Sequence, residues 1–146
     1  TLFPYTTLFR SGRRVLGASS TLSTIGAIAA IEDTEHLQQN YIKLEKRRRL
    51  AYEILHDIPG VRMKMSESGI LSWLNISKLG SSEEVVSRLM SEAKILVNQG
   101  NPYGEQGKGY IRIVTGCFWD DDAAVERFKR IRRVLLNMAQ EKNLVK

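Results

Sequence analysis

The sequence predicts an α/β or α+β fold. Hydrophobic residues make up 42% of its 146 residues and charged residues 26%, a composition that is ordinary for globular domains and excludes disorder, collagen-like repeats and low-complexity fibres. Segments with apolar residues at three- and four-residue spacing alternate with short runs rich in β-branched and aromatic residues. The predicted order is strand, helix, long helix, strands, helix, strands, helix, without internal repeats.

The first eleven residues, TLFPYTTLFRS, are expected not to belong to the native protein. Pro4 and the adjacent Thr6 and Thr7 break any helical or strand period. The same eleven residues result from translating a DNA string that resembles a common sequencing-library adapter. We therefore exclude residues 1–11 from the fold prediction and expect the native sequence to extend upstream of Gly12. Without Arg10 there are 21 basic and 16 acidic residues, and the formal charge falls from +6 to +5.

The N-terminal half is predicted to hold one strand and two helices. Residues 12–19 are typical of a strand that leaves a tight turn, and residues 20–31 of a largely buried helix rich in Ala, Ile and Ser. A long helix is predicted from Thr34 to Ile58, capped by Asp33 or Thr34 and ended by the Pro-Gly pair that follows. Its apolar positions recur at helical spacing: Leu37, Tyr41, Leu44, Ala51 and Leu55.

The middle of the chain is predicted to form two strands and a short helix. Residues 61–65 and 70–76 have the residue content of strands and are separated by a turn. Ser81 or Ser82 is expected to cap a helix of about eleven residues, with Glu84 or Glu83 placed for a capping box. The residues expected to face inward on this helix are Val85, Leu89 and Met90.

The C-terminal part is predicted to form two strands, joined by a glycine-rich loop, and a helix. Residues 95–98 form a brief strand and residues 110–115 (YIRIVT) the most strand-like segment of the chain, with the loop at residues 100–109 between them. Three aspartates from Asp120 onward suit the positive end of the last helix. That helix has an apolar stripe at alternating four- and three-residue steps: Ala124, Phe128, Ile131, Leu135 and Met138.

Residue counts exclude several kinds of site. The single cysteine, Cys117, excludes a disulfide framework and a cysteine-based zinc cage, and is expected to be a buried, inert thiol. Only two histidines are present, His36 and His56, and they lie far apart, so we expect no metal site. No apolar run reaches the roughly 18 residues needed to cross a bilayer.

Two arginine positions are candidates for binding an anion. Arg13 and Arg14 lie at a turn entering a strand, where an arginine can hold a phosphate with its bidentate fork, although surface arginines are the alternative. Arg112 lies in an otherwise apolar strand, where a charge costs free energy unless a carboxylate or an anionic ligand pairs with it. The alternative for Arg112 is the wet face of a half-buried sheet. The glycine-rich loop matches neither a dinucleotide fingerprint nor a P-loop.

Two basic runs are interpreted as helix surface and not as nucleic-acid patches. Residues 46–49 (KRRR) cover nearly a full turn of the long helix, next to Glu45 and without interleaved aromatic residues. The second run, on the last helix, consists of Lys129, Arg130, Arg132 and Arg133. We expect both runs to be solvated.

These motifs together resemble a known family. Residues 12–146 resemble the C-terminal part of a class I/II aminotransferase, one of the fold-type I enzymes that depend on pyridoxal 5′-phosphate. The resemblance is carried by the Gly-x-Arg turn at Gly12, the SWLNI strand, and above all by ILVNQGNPYGEQGKGYIRI, with its glycine-rich loop followed by Tyr-Ile-Arg-Ile. It implies a small α+β domain with a short, mainly antiparallel sheet packed with helices.

The resemblance also assigns roles to residues. Arg112 matches the arginine that binds the substrate α-carboxylate, Tyr103 an aromatic residue near the substrate pocket, and Arg14 the arginine that binds the cofactor phosphate. The family usually has Gly or Ala two residues after that arginine; Leu16 stands there, which leaves the choice between Arg13 and Arg14 open. The Schiff-base lysine of the family lies eight residues before the phosphate arginine. Thr6 stands in that place and cannot form an imine.

The resemblance implies a domain division and a function. Residues 1–11 are the adapter-like segment, 12–31 the end of the large cofactor domain, and 32–146 the small C-terminal domain. The parent is expected to be a cytoplasmic homodimeric aminotransferase that moves an amino group between an amino acid and a 2-oxo acid, and the fragment itself to be inactive. We expect neither nucleic acid nor membrane as a partner. A pyridoxal-phosphate carbon–sulfur β-lyase and a non-enzymatic aminotransferase-like regulator domain are the alternatives.

Overall fold

A computed structural model of the chain describes residues 20–144. Among them, residues up to Gln39 belong to one compact unit and residues from Asn40 onward to a second. The strand predicted for residues 12–19, together with Thr6 and Arg14, lies outside the described residues. Within residues 20–144, no helix is long and apolar enough to cross a membrane.

The first helix, α1 (Thr21–Glu32), forms where the apolar spacing predicted it. The prediction that it is largely buried is wrong, because none of its residues is buried. Leu22 and Ile31 keep 80% and 79% of their surface exposed. The physical reason is that apolar composition predicts a face able to pack, whereas burial requires a second layer against that face.

Helix α2 (Thr34–Leu55) begins at the predicted residue and ends three residues earlier than predicted. Asp33 caps it, since its Oδ1 accepts a hydrogen bond from the backbone N–H of His36 at 2.9 Å. Of its regularly spaced apolar residues, Ala51 and Leu55 are buried, whereas Leu37 and Tyr41 are exposed.

The described part contains a four-stranded sheet. Its strands are β1 (Arg62–Met63), β2 (Leu71–Asn75), β3 (Asn98–Gln99) and β4 (Tyr110–Val114), in the order β1-β2-β4-β3. Every pair of neighbours is antiparallel, which confirms the short antiparallel sheet. All four strands lie at or within one residue of the predicted segments, and the first and third contain only two paired residues each.

The two central strands, β2 and β4, bury one face and leave the other partly open. Burial alternates along both strands, as expected for a sheet covered on one side. Residues 72 and 74 of β2 and residues 111 and 113 of β4 form the covered face. We call the opposite side, which includes Trp73, Tyr110 and Arg112, the open face of the sheet.

Two further helices follow the sheet strands in sequence and supply the covering layer. Helix α3 (Ser82–Arg88) continues as a π-helical turn, Leu89–Ala93. Ser81 caps α3, its Oγ accepting from the N–H of Glu84 at 3.1 Å. Helix α4 (Asp121–Glu141) is capped by Asp120, which accepts from the N–H of Ala123 at 2.8 Å.

The core lies between the covered face of the sheet and these helices. The whole predicted stripe of α4 is buried, whereas Met90 on the π-helical turn is 49% exposed, against the prediction. The largest fully buried side chains come from α2, α3, α4, the sheet and the loops between them: Phe128, Leu55, Ile58, Leu74, Ile76, Leu79, Leu89, Ile111, Leu135 and Met138.

Half of the basic run on α2 is structural, which corrects the prediction of a solvated helix face. Arg47 and Arg48 are only 8% and 4% exposed. Arg47 donates to the carbonyl oxygens of Gly116 (3.1 Å) and Trp119 (3.4 Å), and Arg48 to that of Gly69 (3.0 Å). These two guanidinium groups therefore satisfy loop carbonyl oxygens that lie outside the strands and helices. Lys46 and Arg49 do face solvent.

The run on α4 is also partly engaged. Arg132 donates to the carbonyl oxygen of Ile54 at 2.5 Å and pairs with Asp57. Arg130 donates to the carbonyl oxygen of Ala93. Lys129 and Arg133 are exposed as predicted. Cys117, predicted to be buried, is exposed, since it lies in the loop between β4 and α4 and not in the core.

Candidate carboxylate-binding site

Arg112 lies in the middle of β4 on the open face of the sheet. It is half-buried, and its Nε is buried without a hydrogen-bond partner. No carboxylate among residues 20–144 forms an ion pair with its guanidinium. A half-buried guanidinium in this state has donors available for an anion.

The sheet register places two polar or aromatic residues beside Arg112. Trp73 of β2 is its direct partner on one side, and Asn98 of β3 is its direct partner on the other. Residues directly opposite each other in antiparallel strands share a face. Trp73, Arg112 and Asn98 therefore form a row across the open face, which we call the Arg112 row.

Tyr103 contacts all three members of the Arg112 row. Its ring lies 4.6 Å from the guanidinium carbon of Arg112. The ring of Trp73 meets it edge-on at 5.3 Å, and the side-chain amide of Asn98 lies 3.4 Å from its hydroxyl oxygen. The structure thus brings together Tyr103 and Arg112, the two described residues that the family resemblance assigned to the substrate pocket.

The loop that carries Tyr103 is closed by two glycines. Gly100 and Gly107 approach so closely that a Cβ on Gly100 would collide with the carbonyl oxygen of Gly107 and lie 2.8 Å from that of Tyr110. The N–H of Gly100 donates to this same Tyr110 oxygen at 2.8 Å. Glycine lets two backbones come this near. The loop thus makes this close approach to itself, which positions Tyr103.

A cavity of about 270 Å³ lies beside Arg112, at the edge of β4 that the short β3 leaves uncovered. Arg112, Lys94 and Arg127 are among its lining residues, and no Asp or Glu is. Arg127 forms an ion pair with Glu126 at 2.7 Å, which offsets part of this charge. The remaining positive charge favours an anion in the cavity.

A larger groove of about 670 Å³ lies on the other side of Trp73, and its lining does not favour one sign of charge. Arg62 and Lys64 line it together with Glu67, so its charge is mixed. Of the two, the cavity beside Arg112 is therefore the one whose lining favours an anion.

The comparisons with known proteins agree with this fold. No protein-family model matches the chain. The chain is 32% identical over 108 residues to an LL-diaminopimelate aminotransferase from Maridesulfovibrio salexigens, which covers 73% of the chain and 27% of the relative. A PLP-bound structure from Clostridium difficile 630 superimposes with a TM-score of 0.64 at 29% identity, covering 71% of the chain and 27% of that structure.

The chain is related to the fold-type I aminotransferases. Its helices and four-stranded antiparallel sheet match the C-terminal portion of these enzymes, as the resemblance predicted. The cystathionine β-lyase PatB of Bacillus subtilis is also similar, at 32% identity over 62 residues, or 42% of the chain and 16% of that protein. The chain spans about a third or less of the length of the curated relatives it matches.

The described residues of this aminotransferase relative do not make a pyridoxal-phosphate site. Such a site needs a lysine for the imine and a partner for the pyridine nitrogen. Lys94 lines the cavity beside Arg112, but no carboxylate lines it. The Arg112 guanidinium instead has donors that suit a carboxylate, which is anion binding and not cofactor chemistry.

Sequence reasoning missed Trp73 and Asn98. Trp73 was noticed only as part of a strand, and Asn98 only as the end of one. Their places beside Arg112 follow from the register β2-β4-β3, which joins residues 39 and 14 positions apart in sequence. The two-residue period of a strand puts Trp73 on one face with Leu71 and Asn75, but LSWLN does not alternate between polar and apolar residues, so the sequence does not indicate which face is covered.

Proposed function

We propose that this chain contributes the substrate-carboxylate site of a pyridoxal-phosphate-dependent aminotransferase, and that Arg112 holds the α-carboxylate. The reaction is transfer of an amino group between an amino acid and a 2-oxo acid. The supporting observation is the half-buried Arg112 guanidinium, whose Nε is buried without a partner on a face where the described part offers it no carboxylate.

The chemistry of the substrates fits a single arginine. A guanidinium presents a planar fork that matches a carboxylate with two parallel hydrogen bonds. The amino acid and the 2-oxo acid both carry a carboxylate on the carbon next to the reacting centre. One arginine therefore orients both substrates of an amino-group transfer, and the orientation itself contributes to the rate.

The remaining assignments extend this proposal to the whole sequence. Residues 12–31 are the end of the cofactor domain, with Arg14 as the phosphate ligand, and residues 32–146 are the small domain. Residues 1–11 are the adapter-like segment, and Thr6 stands where the Schiff-base lysine would be. The parent binds its pyridoxal phosphate through residues outside the described part and works as a homodimer. This chain alone does not catalyse the reaction.

A carbon–sulfur β-lyase is the second candidate, because PatB matches 42% of the chain. A β-lyase acting on an amino acid also needs its α-carboxylate held, so Arg112 keeps the same role in both. The difference between the two reactions lies in how the intermediate is processed, which residues other than this arginine decide.

The carboxylate assignment is tested by titrating the purified 146-residue chain with pyruvate. The chain has two tryptophans, Trp73 and Trp119. In a Trp119→Phe background only Trp73 remains, and its fluorescence reports on the Arg112 row. We expect Arg112→Met to weaken the pyruvate response by about 10-fold to 100-fold, the worth of hydrogen bonds between a guanidinium and a carboxylate.

Arg127→Met is the matched control. Arg127 lines the same cavity but is already paired with Glu126, so its loss is expected to leave the response within about twofold of the parent chain. An Arg112→Met chain that titrates like its parent, or an Arg127→Met chain that loses as much, contradicts the assignment.

A further inference from the structure

We propose that Tyr103 is a positioning residue for Arg112, and that Trp73 and Asn98 position Tyr103 in turn. The effect of these contacts on substrate binding rests on the proposed function, whereas the contacts themselves do not.

The first step is the contact between Tyr103 and Arg112. The guanidinium carbon lies 4.6 Å from the ring centroid, which is within the range of a cation–π interaction. This contact with the ring uses none of the guanidinium N–H donors, so they stay free to meet a carboxylate. Tyr103 therefore limits where the guanidinium lies without using its donors, and acts on a substrate through Arg112.

Neighbouring side chains hold the ring of Tyr103 in place. It lies in a loop and is 48% exposed, so the backbone alone does not fix its ring. Trp73 meets the ring edge-on at 5.3 Å, and the amide of Asn98 lies 3.4 Å from its hydroxyl oxygen. These two residues flank Arg112 in the sheet, one on each side.

The third step is that the sheet sets these positions. Register fixes Trp73, Arg112 and Asn98 in one row, and the contact between Gly100 and Gly107 folds the loop so that Tyr103 lies on that row. A long, flexible arginine loses rotamer freedom when a carboxylate binds it, and an arginine already held loses less. The cluster thereby favours carboxylate binding.

The experiment follows the Nε–Hε signal of Arg112 in ¹H–¹⁵N spectra of the ¹⁵N-labelled chain, assigned by its loss in Arg112→Lys. Burial of Nε slows exchange of this proton with water and keeps the signal visible. In Tyr103→Leu we expect the signal to lose its ring-current shift and its order parameter to fall. Tyr103→Phe keeps the ring and is expected to retain most of both.

Trp73→Leu and Asn98→Leu are expected to move the same signal in the same direction by a smaller amount. Tyr110→Leu is the matched control: Tyr110 meets Trp73 edge-on at 6.4 Å and lies two residues from Arg112, but it has no ring contact with Tyr103 in the described part. This variant is expected to leave the Arg112 signal unchanged. The backbone amide spectrum shows that each variant is folded, and where Tyr103→Leu does not fold, Trp73→Leu and Asn98→Leu decide.

A signal unchanged in Tyr103→Leu, or changed equally by Tyr110→Leu, overturns the positioning role. Where Tyr103→Leu does not fold, a signal unchanged in both flanking variants overturns it. Pyruvate titration of the same samples is expected to show affinity about three- to tenfold weaker in Tyr103→Leu. If the Arg112 signal responds to the Tyr103 variants but never to pyruvate, the positioning role stands and the carboxylate function fails.

Discussion

Substitution of Gly100 by alanine tests whether the close approach of Gly100 to Gly107 positions Tyr103 on the sheet. The backbone of Gly100 has φ −80° and ψ −25°, which alanine adopts without strain, so the cost of the new methyl group is steric. Its Cβ would collide with the carbonyl oxygen of Gly107 and lie 2.8 Å from that of Tyr110, and both are backbone atoms that cannot rotate away.

The magnitude follows from overpacking and lost hydrogen bonds. To relieve the collision, the backbone at Gly100 must move away from the backbone at Gly107. This movement strains the hydrogen bonds from the Gly100 N–H to the Tyr110 oxygen (2.8 Å) and from the Tyr103 N–H to the Gly100 oxygen (2.9 Å). We expect the free energy of unfolding to fall by about 1–3 kcal/mol. With a urea m value of about 1.5 kcal/mol/M, the midpoint falls by about 1–2 M.

The assay is urea unfolding followed by Trp73 fluorescence in the Trp119→Phe background. Gly26→Ala in α1 is the control, because no atom lies within 4 Å of an added Cβ there and its φ is not positive. It is expected to leave the midpoint unchanged or to raise it slightly, since alanine is favoured over glycine inside a helix. A Gly100→Ala chain with an unchanged midpoint, or one no more affected than Gly26→Ala, refutes the reasoning.

Two further predictions concern charge and cofactor chemistry. Arg132 lowers the pKa of the Asp57 carboxyl by hydrogen bonding. A carboxyl whose folded pKa lies below its unfolded pKa stabilises the protein above the unfolded value and loses that contribution as pH falls through the folded value. Asp57→Asn should therefore lower the free energy of unfolding slightly at pH 7, by at most about 1 kcal/mol for an exposed pair, and by less at pH 2; equal losses at both pH values contradict this. Incubation with pyridoxal phosphate and borohydride should give only scattered lysine labelling by mass spectrometry, and stoichiometric labelling of one lysine would contradict the absence of a Schiff-base lysine.

The sequence predicted most elements of the fold because their signals are local. The stripe of α4 from Ala124 to Met138 has the period of a helix with one buried face, and all five of its positions are buried. Asp33, Ser81 and Asp120 cap helices because a short polar side chain reaches the N–H groups of the next turn. Interactions within a few residues are readable from spacing alone.

Errors arose where a distant segment decides the outcome. Arg47 and Arg48 look like any exposed basic run, yet the carbonyl groups that bury them belong to loops about 20 and 70 residues further on. The apolar residues of α1 were expected to be buried but are exposed. Period predicts which residues lie on one face of a helix, and only the neighbouring layers determine whether that face is covered.

By itself, the sequence identified Arg112 as a charge in an apolar strand, where it either pairs with an anion or lies on the wet face of the sheet, and the family resemblance placed Tyr103 near the substrate pocket. The tertiary structure decided which residues surround this arginine. Antiparallel register places Trp73 and Asn98 on either side of Arg112, and the approach of Gly100 to Gly107 places Tyr103 above it. The physical reason is that strand period is encoded locally, whereas register and loop closure depend on backbone contacts between distant residues.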